Sequence, residues 1–247
     1  MIDLKSMVLP EMEEYFRSLN LPRFRSKQVF SWLHEKRAAS FDEMTNLPLS
    51  LRQQLAEQCA LTTLVIERKL VSQLDGTIKY LYRLPDGNHI ESVLMRYEHG
   101  NSLCISSQVG CKMGCAFCAS TKAGFVRNLT PSEILEQVYM AGRDTGEKVS
   151  NIVMMGIGEP LDNYDNVLRF LELVSDPNGL NLSHRHISLS TCGVVDKIYD
   201  LAHRDLQITL SISLHATTDS TRSEIMPINR RWGIKELLDA CRYYTDK

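Results

Sequence analysis

The stretch Gly110-Cys111-Lys112-Met113-Gly114-Cys115-Ala116-Phe117-Cys118 decides how this 247-residue chain is interpreted. It places three cysteines, Cys111, Cys115 and Cys118, in one short loop. An iron–sulfur cluster normally takes four thiolate ligands. A set of three therefore predicts a [4Fe–4S] cluster with one iron open to a small molecule. With this spacing the usual occupant is S-adenosylmethionine, whose reductive cleavage starts radical chemistry.

A zinc site and a disulfide framework are the alternatives to a cluster at these cysteines. A structural zinc site usually has two separated pairs of Cys or His. No second pair follows here at that spacing, and His184 and His186 lie far downstream. A disulfide framework is typical of short secreted chains, whereas this chain has seven cysteines in 247 residues and no signal peptide. Zinc is therefore the main alternative.

The composition is that of an ordinary globular protein, because apolar residues make up 43% and charged residues 23% of the chain. The length allows one large domain or two small ones. No apolar run approaches the length of a membrane span, and Met1-Ile2-Asp3-Leu4-Lys5 lacks the form of a targeting segment. We therefore expect a cytoplasmic protein without membrane association. The net charge is −2, so nucleic-acid binding must depend on a local basic patch.

Residues 1–60 have the apolar spacing of a small helical domain. Between Arg23 and Arg37 five basic side chains accompany a single acid, Glu35, and aromatic side chains are interleaved with them: Phe24, Phe30 and Trp32. Such a module can hold an RNA backbone and stack on bases. A plain helical bundle with an amphipathic face is the alternative. The hypothesis for this segment is an accessory RNA-binding domain.

The apolar period changes to two over residues 61–97, which predicts a β-meander. Its strands are expected at 65–72, 77–84 and 89–97, with Asp75-Gly76 in the first turn. Over residues 98–247 strands and helices alternate in four βα units, which predicts an α/β fold with a parallel, barrel-like sheet. In such barrels the working groups follow the carboxyl ends of the strands. The three cysteines follow the first of these strands.

A second candidate loop, Met155-Gly156-Ile157-Gly158-Glu159-Pro160, follows the second strand of this series. Its glycines let the backbone approach a ligand, and Glu159 can accept from the amino group of S-adenosylmethionine. Polar groups also end the third and fourth strands, at Ser190 and at Ser213-Leu214-His215. Each group alone could be an ordinary loop residue. The prediction of a ligand site depends on their recurrence at one rim of the barrel.

Cys104 and Glu91 are candidate reacting groups. Cys104 lies on the strand that leads into the cluster loop, which favours a redox or covalent role over that of a buried apolar side chain. Glu91 lies in an apolar strand, where a carboxylate is costly unless it is paired or functional. A general base with a raised pKa and an ion pair both explain it. The remaining cysteines show nothing beyond ordinary packing: Cys59, Cys192 and Cys241.

Taken in order, these motifs resemble the radical-SAM methyltransferases that modify adenine in ribosomal and transfer RNA, the RlmN/Cfr family. The resemblance covers essentially the whole chain and implies a partial radical-SAM (β/α) barrel with about four of six βα units. The matching stretches are Phe41-Asp42-Glu43-Met44-Thr45-Asn46-Leu47-Pro48, Ile90-Glu91-Ser92-Val93, Cys104-Ile105-Ser106-Ser107-Gln108-Val109-Gly110-Cys111, Gly124-Phe125-Val126-Arg127-Asn128-Leu129, Gly156-Ile157-Gly158-Glu159-Pro160, Ser190-Thr191-Cys192-Gly193 and Ser213-Leu214-His215-Ala216.

The resemblance implies a role for each candidate residue. The cluster ligands are Cys111, Cys115 and Cys118, and the S-adenosylmethionine contacts are Gly158, Glu159, Ser190, Ser213, Leu214 and His215. Glu91 is then the proton acceptor, and Cys104 is the thiol that closes a disulfide to release the product. The implied reaction is methylation of carbon 2 of adenine in 23S rRNA and tRNA through a methyl-cysteine. A reductant such as flavodoxin or ferredoxin is implied as well.

The sequence departs from the family at its end. It stops at Lys247, before the methyl-carrying cysteine and a late asparagine that contacts S-adenosylmethionine, and neither Cys192 nor Cys241 matches the missing position. We therefore expect a truncated core in which cluster binding survives in part and methyl transfer fails. The alternatives are methylation of carbon 8, another radical-SAM enzyme such as a protein activase, and an inactive iron–sulfur fragment that binds RNA.

Overall fold

A computed structural model describes all 247 residues, with eight α-helices and eleven β-strands joined by loops and short 3-10 turns. The helices are α1 (Leu9–Ser18), α2 (Arg23–His34), α3 (Leu49–Gln58), α4 (Pro131–Thr145), α5 (Tyr164–Ser175), α6 (Val195–Ala202), α7 (Asp219–Ile225) and α8 (Ile234–Asp246). The strands are β1 (Ile2–Asp3), β2 (Cys59–Ala60), β3 (Val65–Val71), β4 (Ile78–Arg83), β5 (His89–Tyr97), β6 (Gly100–Cys104), β7 (Gln108–Gly110), β8 (Phe125–Asn128), β9 (Val149–Met154), β10 (Ile187–Thr191) and β11 (Thr209–Ile212).

The central sheet has seven strands in the order β11-β10-β9-β6-β5-β4-β3. Strands β6, β9, β10 and β11 are parallel, which confirms the α/β fold and its partial barrel. Strands β3 to β6 pair antiparallel. The meander is therefore continuous with the barrel sheet, because β5 pairs with β6 from Val93 to Tyr97. The division into three domains stays a prediction.

Several local structures were not expected from the sequence. The first strand of the alternating series is β6, which begins at Gly100, where that residue pairs with Tyr97 across a tight turn. Helix α7 lies in a stretch for which the sequence predicted no element. The short antiparallel pair β7–β8 was not expected either.

The two ends of helix α4 are set by local capping residues that can be recognised in the sequence. The Thr130 hydroxyl accepts from the amide of Glu133 at 3.3 Å, and the Glu133 carboxylate accepts from the amide of Thr130 at 2.9 Å. This is a capping box, a pattern that the sequence Thr130-Pro131-Ser132-Glu133 already shows, with proline at the first helical position. Gly146 ends the helix with a φ of 71°, the left-handed conformation that glycine adopts at little cost.

The amino-terminal helices pack on α4 through buried polar contacts as well as apolar ones. Lys5 Nζ donates to the Glu136 carboxylate at 2.8 Å, and both side chains are fully buried. His34 Nδ1 lies 3.0 Å from the hydroxyl of Tyr139. A single apolar core continues from the amino-terminal helices into the central sheet. None of the eight helices combines the length and apolar character needed to cross a membrane.

Candidate functional site

The three cysteines lie in a loop closed by the antiparallel pair β7–β8. At its base the Cys111 amide donates to the carbonyl of Gly124 at 3.2 Å. Gly110 has a φ of 72°, and a Cβ there would lie 1.8 Å from the Gly124 oxygen. Only glycine fits this position, so the residue before the first cysteine fixes how the two ends of the loop approach each other.

Inside the loop the backbone turns so that the cysteines share one side. The Cys118 amide donates to the Cys115 carbonyl at 3.1 Å, and the hydroxyl of Thr121 donates to the Cys118 carbonyl at 2.9 Å. Cys111 and Cys115 are buried, whereas Cys118 is half-buried. All seven cysteines of the chain are unpaired thiols.

A cavity of about 300 Å³ lies against this loop, at the carboxyl ends of the parallel strands. The three cysteines line it together with five of the six predicted ligand residues: Gly158, Glu159, Ser190, Ser213 and His215. The sixth, Leu214, lies between two of these residues but does not line the cavity. The structure thus brings together one loop and three strand ends that are far apart in sequence.

Glu159 is the buried acid of the cavity wall, with 4% of its surface exposed. Its Oε2 accepts from the amide of Cys192 at 2.7 Å, and its Oε1 accepts from the amide of Leu161 at 3.0 Å. Burial raises the pKa of this carboxyl group. The carboxylate therefore braces two backbone segments, and it keeps lone pairs that can accept from a ligand.

Polar side chains line the concave side of β10 and β11. The Oγ atoms of Ser190 and Ser213 are 3.4 Å apart, and those of Ser188 and Ser211 are 3.0 Å apart. His215 follows with a φ of 56°, and its ring lies 4.6 Å from the ring of Phe117 in the cysteine loop. Of these, the hydroxyl groups of Ser190 and Ser213, which can donate or accept, line the cavity beside the thiols.

Comparison with known proteins supports the same interpretation. Residues 2–61 match a family described as the ribosomal RNA large subunit methyltransferase N-terminal domain, and residues 105–247 match the radical SAM superfamily. The chain is 54% identical over 246 residues to the probable dual-specificity RNA methyltransferase RlmN of Lachnospira eligens. It belongs to the RlmN family of radical-SAM RNA methyltransferases. The predicted family membership is confirmed, and the chain is an enzyme of that family.

A second RlmN relative, from Alkaliphilus oremlandii, is 52% identical over 246 residues. All of this chain is covered in both matches, together with 70% and 71% of the two relatives. A crystal structure of a radical SAM methyltransferase from Sphaerobacter thermophilus superimposes with a TM-score of 0.95 at 42% identity. That match covers 100% of this chain and 73% of the other. The arrangement described here is therefore that of a solved radical-SAM fold.

The donor set of the RlmN loop fits an iron–sulfur cluster. It consists of three unpaired thiols that line one cavity, and thiolates are the usual ligands of such clusters. Burial raises the pKa of Cys111 to about 11, helped by the nearby charges of Glu159 and the other two cysteines, and burial also raises the pKa of Cys115. Because metals bind thiolates, loading a cluster here must release protons.

The structure places the two other predicted residues, Glu91 and Cys104, outside the cavity. Glu91 is 41% exposed and its Oε1 lies 2.9 Å from Lys79 Nζ, so the ion pair that the sequence allows is present. Cys104 is half-buried, and burial raises the pKa of its thiol. Both side chains lie on the same face of adjacent strands, because Cys104 pairs with Val93.

Sequence reasoning misses or undervalues one residue of the cavity wall and one residue that supports it. It expects Cys192 only to pack, yet this residue lines the cavity and its amide binds Glu159. Gln108 accepts from the amide of Glu159 at 2.9 Å and donates to Asp162 at 2.7 Å, so it positions the glycine-containing loop. Its place between Cys104 and Cys111 in a matching stretch is the signal that could have identified it.

Proposed function

We propose that this chain contains the cluster-binding and S-adenosylmethionine-binding part of an RlmN enzyme that methylates carbon 2 of adenine in 23S rRNA and tRNA. One observation carries the proposal. Three thiols that are close in sequence and polar groups from three separate strand ends surround a single cavity. Open α/β folds bind ligands at the carboxyl ends of their parallel strands, and this cavity lies there.

In this proposal Cys111, Cys115 and Cys118 hold a [4Fe–4S] cluster. The residues around the open iron that bind S-adenosylmethionine are Gly158, Glu159, Ser190, Ser213, Leu214 and His215. When bound, the cluster supplies the one-electron reduction that starts radical chemistry. Glu159 accepts from the ligand's amino group, and the strand-end hydroxyls bind its carboxylate or ribose. A reductant such as flavodoxin or ferredoxin provides the electron.

Glu91 and Cys104 act on the RNA side of the reaction. Glu91 takes the proton that leaves carbon 2 of adenine, and Lys79, whose Nζ lies 2.9 Å from Oε1, positions the carboxylate. Cys104 forms a disulfide with the methyl-carrying cysteine while the carbon–sulfur bond to the product breaks. Support comes from the unpaired, half-buried state of Cys104 and from its position on the same face as Glu91.

The methyl-carrying cysteine of this proposal is none of the seven in the chain. Cys192 is buried in the cavity wall, and Cys59 and Cys241 lie away from the cavity lining. The 247 residues alone are therefore expected to bind a cluster without transferring a methyl group. Residues 1–60 form the accessory domain that holds RNA, residues 61–97 the meander and residues 98–247 the radical-SAM core. A cytoplasmic location fits the need of such a cluster for a reducing compartment.

Anaerobic reconstitution of the 247-residue chain tests the site. We expect about four irons per chain, the content of one [4Fe–4S] cluster, and release of 5′-deoxyadenosine when S-adenosylmethionine and a strong reductant are added. Cys118→Ala should lose both, whereas Cys241→Ala, which removes a thiol of α8, should keep both. A loaded chain that releases no 5′-deoxyadenosine would favour the non-catalytic RNA-binding alternative.

Mass spectrometry of RNA from a deletion strain tests the substrate. Loss of 2-methyladenosine from 23S rRNA and tRNA is the expected result, and re-expression of the gene should restore it. Loss of 8-methyladenosine would favour the carbon 8 alternative. Unchanged RNA would refute the proposed substrate and favour another radical-SAM reaction such as protein activation.

A further inference from the structure

Arg222 of α7 is the largest fully buried side chain in the protein, with 0% of its surface exposed. It forms no ion pair. Its Nη1 donates to Asn229 Oδ1 at 2.8 Å, and Asn229 in turn donates to the exposed Asp219 at 3.0 Å. A buried charge without an adjacent counter-charge is costly. The groups that accept hydrogen bonds from the Arg222 guanidinium should therefore indicate its role.

The other donors of Arg222 bind the loops that follow β10 and β11. Nη2 donates to the carbonyl of Cys192 at 2.6 Å and to that of Ser213 at 3.3 Å, and Nε donates to the carbonyl of Leu214 at 3.1 Å. A planar guanidinium can satisfy several acceptors at once, which an ammonium on a flexible stem cannot do in the same geometry. One side chain therefore fastens two of the three strand-end loops of the cavity.

The carboxyl end of α7 is attached to the cysteine loop. The amide of Ala116 donates to the carbonyl of Ile225 at 2.9 Å, and Met226, which follows the helix, lines the cavity. A Cβ at Gly114 would lie 3.4 Å from the ring of Pro227. Helix α7 thus joins the loop that holds the thiols to the loops that carry Ser213 and Cys192.

Arg222 is also a buried cation close to the cysteine loop. Burial lowers the pKa of its guanidinium, and the nearby Cys192, Cys115 and Asp219 oppose that shift. Glu159 adds a buried carboxyl group on the opposite side of Cys192. A cluster bound by the three cysteines would add negative charge at this loop, which is joined to α7 through Ala116 and Ile225.

We propose that Arg222 is a positioning residue that joins the loops after β10 and β11 to the cysteine loop and places a buried positive charge beside that loop. The inference rests on the proposed [4Fe–4S] site. By holding these loops in place, the hydrogen bonds of Arg222 set the affinity for S-adenosylmethionine. The charge stabilises the reduced cluster and so raises its reduction potential.

Two substitutions separate these effects in the reconstituted 247-residue chain. Arg222→Gln removes the charge and should make the midpoint potential of the cluster more negative, measured by redox titration followed by electron paramagnetic resonance. It should also weaken S-adenosylmethionine binding by at least about tenfold, because hydrogen bonds from a charged donor to two loops are lost. Arg222→Lys keeps the charge, so its potential should stay near that of the wild type while the binding still weakens.

Arg242→Gln is the matched control, because it makes the same change at a side chain that is 71% exposed. It should alter neither quantity. Arg222→Gln protein with wild-type iron content, potential and affinity would overturn the inference. If Arg222→Gln fails to fold, Arg222→Lys provides the test. Wild-type affinity of the Arg222→Lys protein for S-adenosylmethionine would equally refute the role of Arg222 in holding the loops. A wild-type chain that takes up no iron would instead refute the proposed cluster site.

Discussion

His34 makes the packing of the amino-terminal helices on α4 sensitive to acid. The side chain is fully buried at the end of α2, with Nδ1 3.0 Å from the hydroxyl of Tyr139 and with Nε2 unpartnered. Its ring also packs against Phe30, with 4.4 Å between ring centroids. Burial, and to a smaller extent the charge of Lys5, lowers its pKa from 6.5 to about 3. The folded protein therefore holds this imidazole neutral.

The size of the effect follows from the difference in pKa between the two states. Above pH 6.5 the histidine is neutral in both folded and unfolded chains, so its contribution to stability is fully present. As the pH falls below 6.5, His34 binds a proton in the unfolded chain but not in the folded chain, so the free energy of unfolding decreases until about pH 3. At pH 5 the difference of about 1.5 pH units corresponds to about 2 kcal/mol.

His34→Asn tests this value, because the amide can replace the hydrogen bond of Nδ1 to Tyr139 but does not titrate. Urea unfolding of both proteins at pH 7.5 and pH 5 gives the free energies of unfolding. The wild type should lose about 2 kcal/mol more than the variant over this range. Carboxyl groups titrate in both proteins and cancel in the comparison. Parallel losses in the two proteins would refute the argument.

Two further predictions concern the cluster loop and the packing of the amino-terminal helices. Gly110→Ala should lower the thermal midpoint of unfolding and prevent iron binding, because the new Cβ would lie 1.8 Å from the Gly124 oxygen. Gly124 also has a positive φ, but no atom lies within 4 Å of a Cβ placed there, so Gly124→Ala should lower the free energy of unfolding by only about 1–2 kcal/mol. Lys5→Met should destabilise the protein by about 3–5 kcal/mol in urea unfolding, because it breaks a buried ion pair and leaves Glu136 with Arg143 alone. A loss below about 1 kcal/mol would contradict that assignment.

Local signals in the sequence are enough to predict most of the fold. The capping box at Thr130 and Glu133 marks the start of α4, and strand alternation places β5 at its observed bounds. The spacing of the cysteines and the glycine-containing loop predicts which groups share a cavity. These features depend on neighbours in the chain, or on the rule that parallel strands end at one edge of a sheet.

Non-local contacts explain what the sequence could not predict. Helix α7 has no apolar repeat over Asp219–Ile225. It is held instead by the hydrogen bond of Arg222 to the distant carbonyl of Cys192 and by the bond of Asn229 to the carbonyl of Asp219 at the start of the helix. The sequence leaves the role of Glu91 open because its partner is set by strand register. Lys79 pairs with Val93 and therefore lies diagonally from Glu91, which no local pattern shows.

The loop after β10 shows how buried charges of opposite sign can fix one peptide segment. The amide of Cys192 donates to Glu159, from the loop after β9, and its carbonyl accepts from Arg222, from α7. Neither charge forms an ion pair with the other, and both act through the same residue. Removing either one frees the same loop, so their effects on ligand affinity should be less than additive in a double-mutant cycle. Independent, additive losses would mean that the two charges stabilise different parts of the cavity.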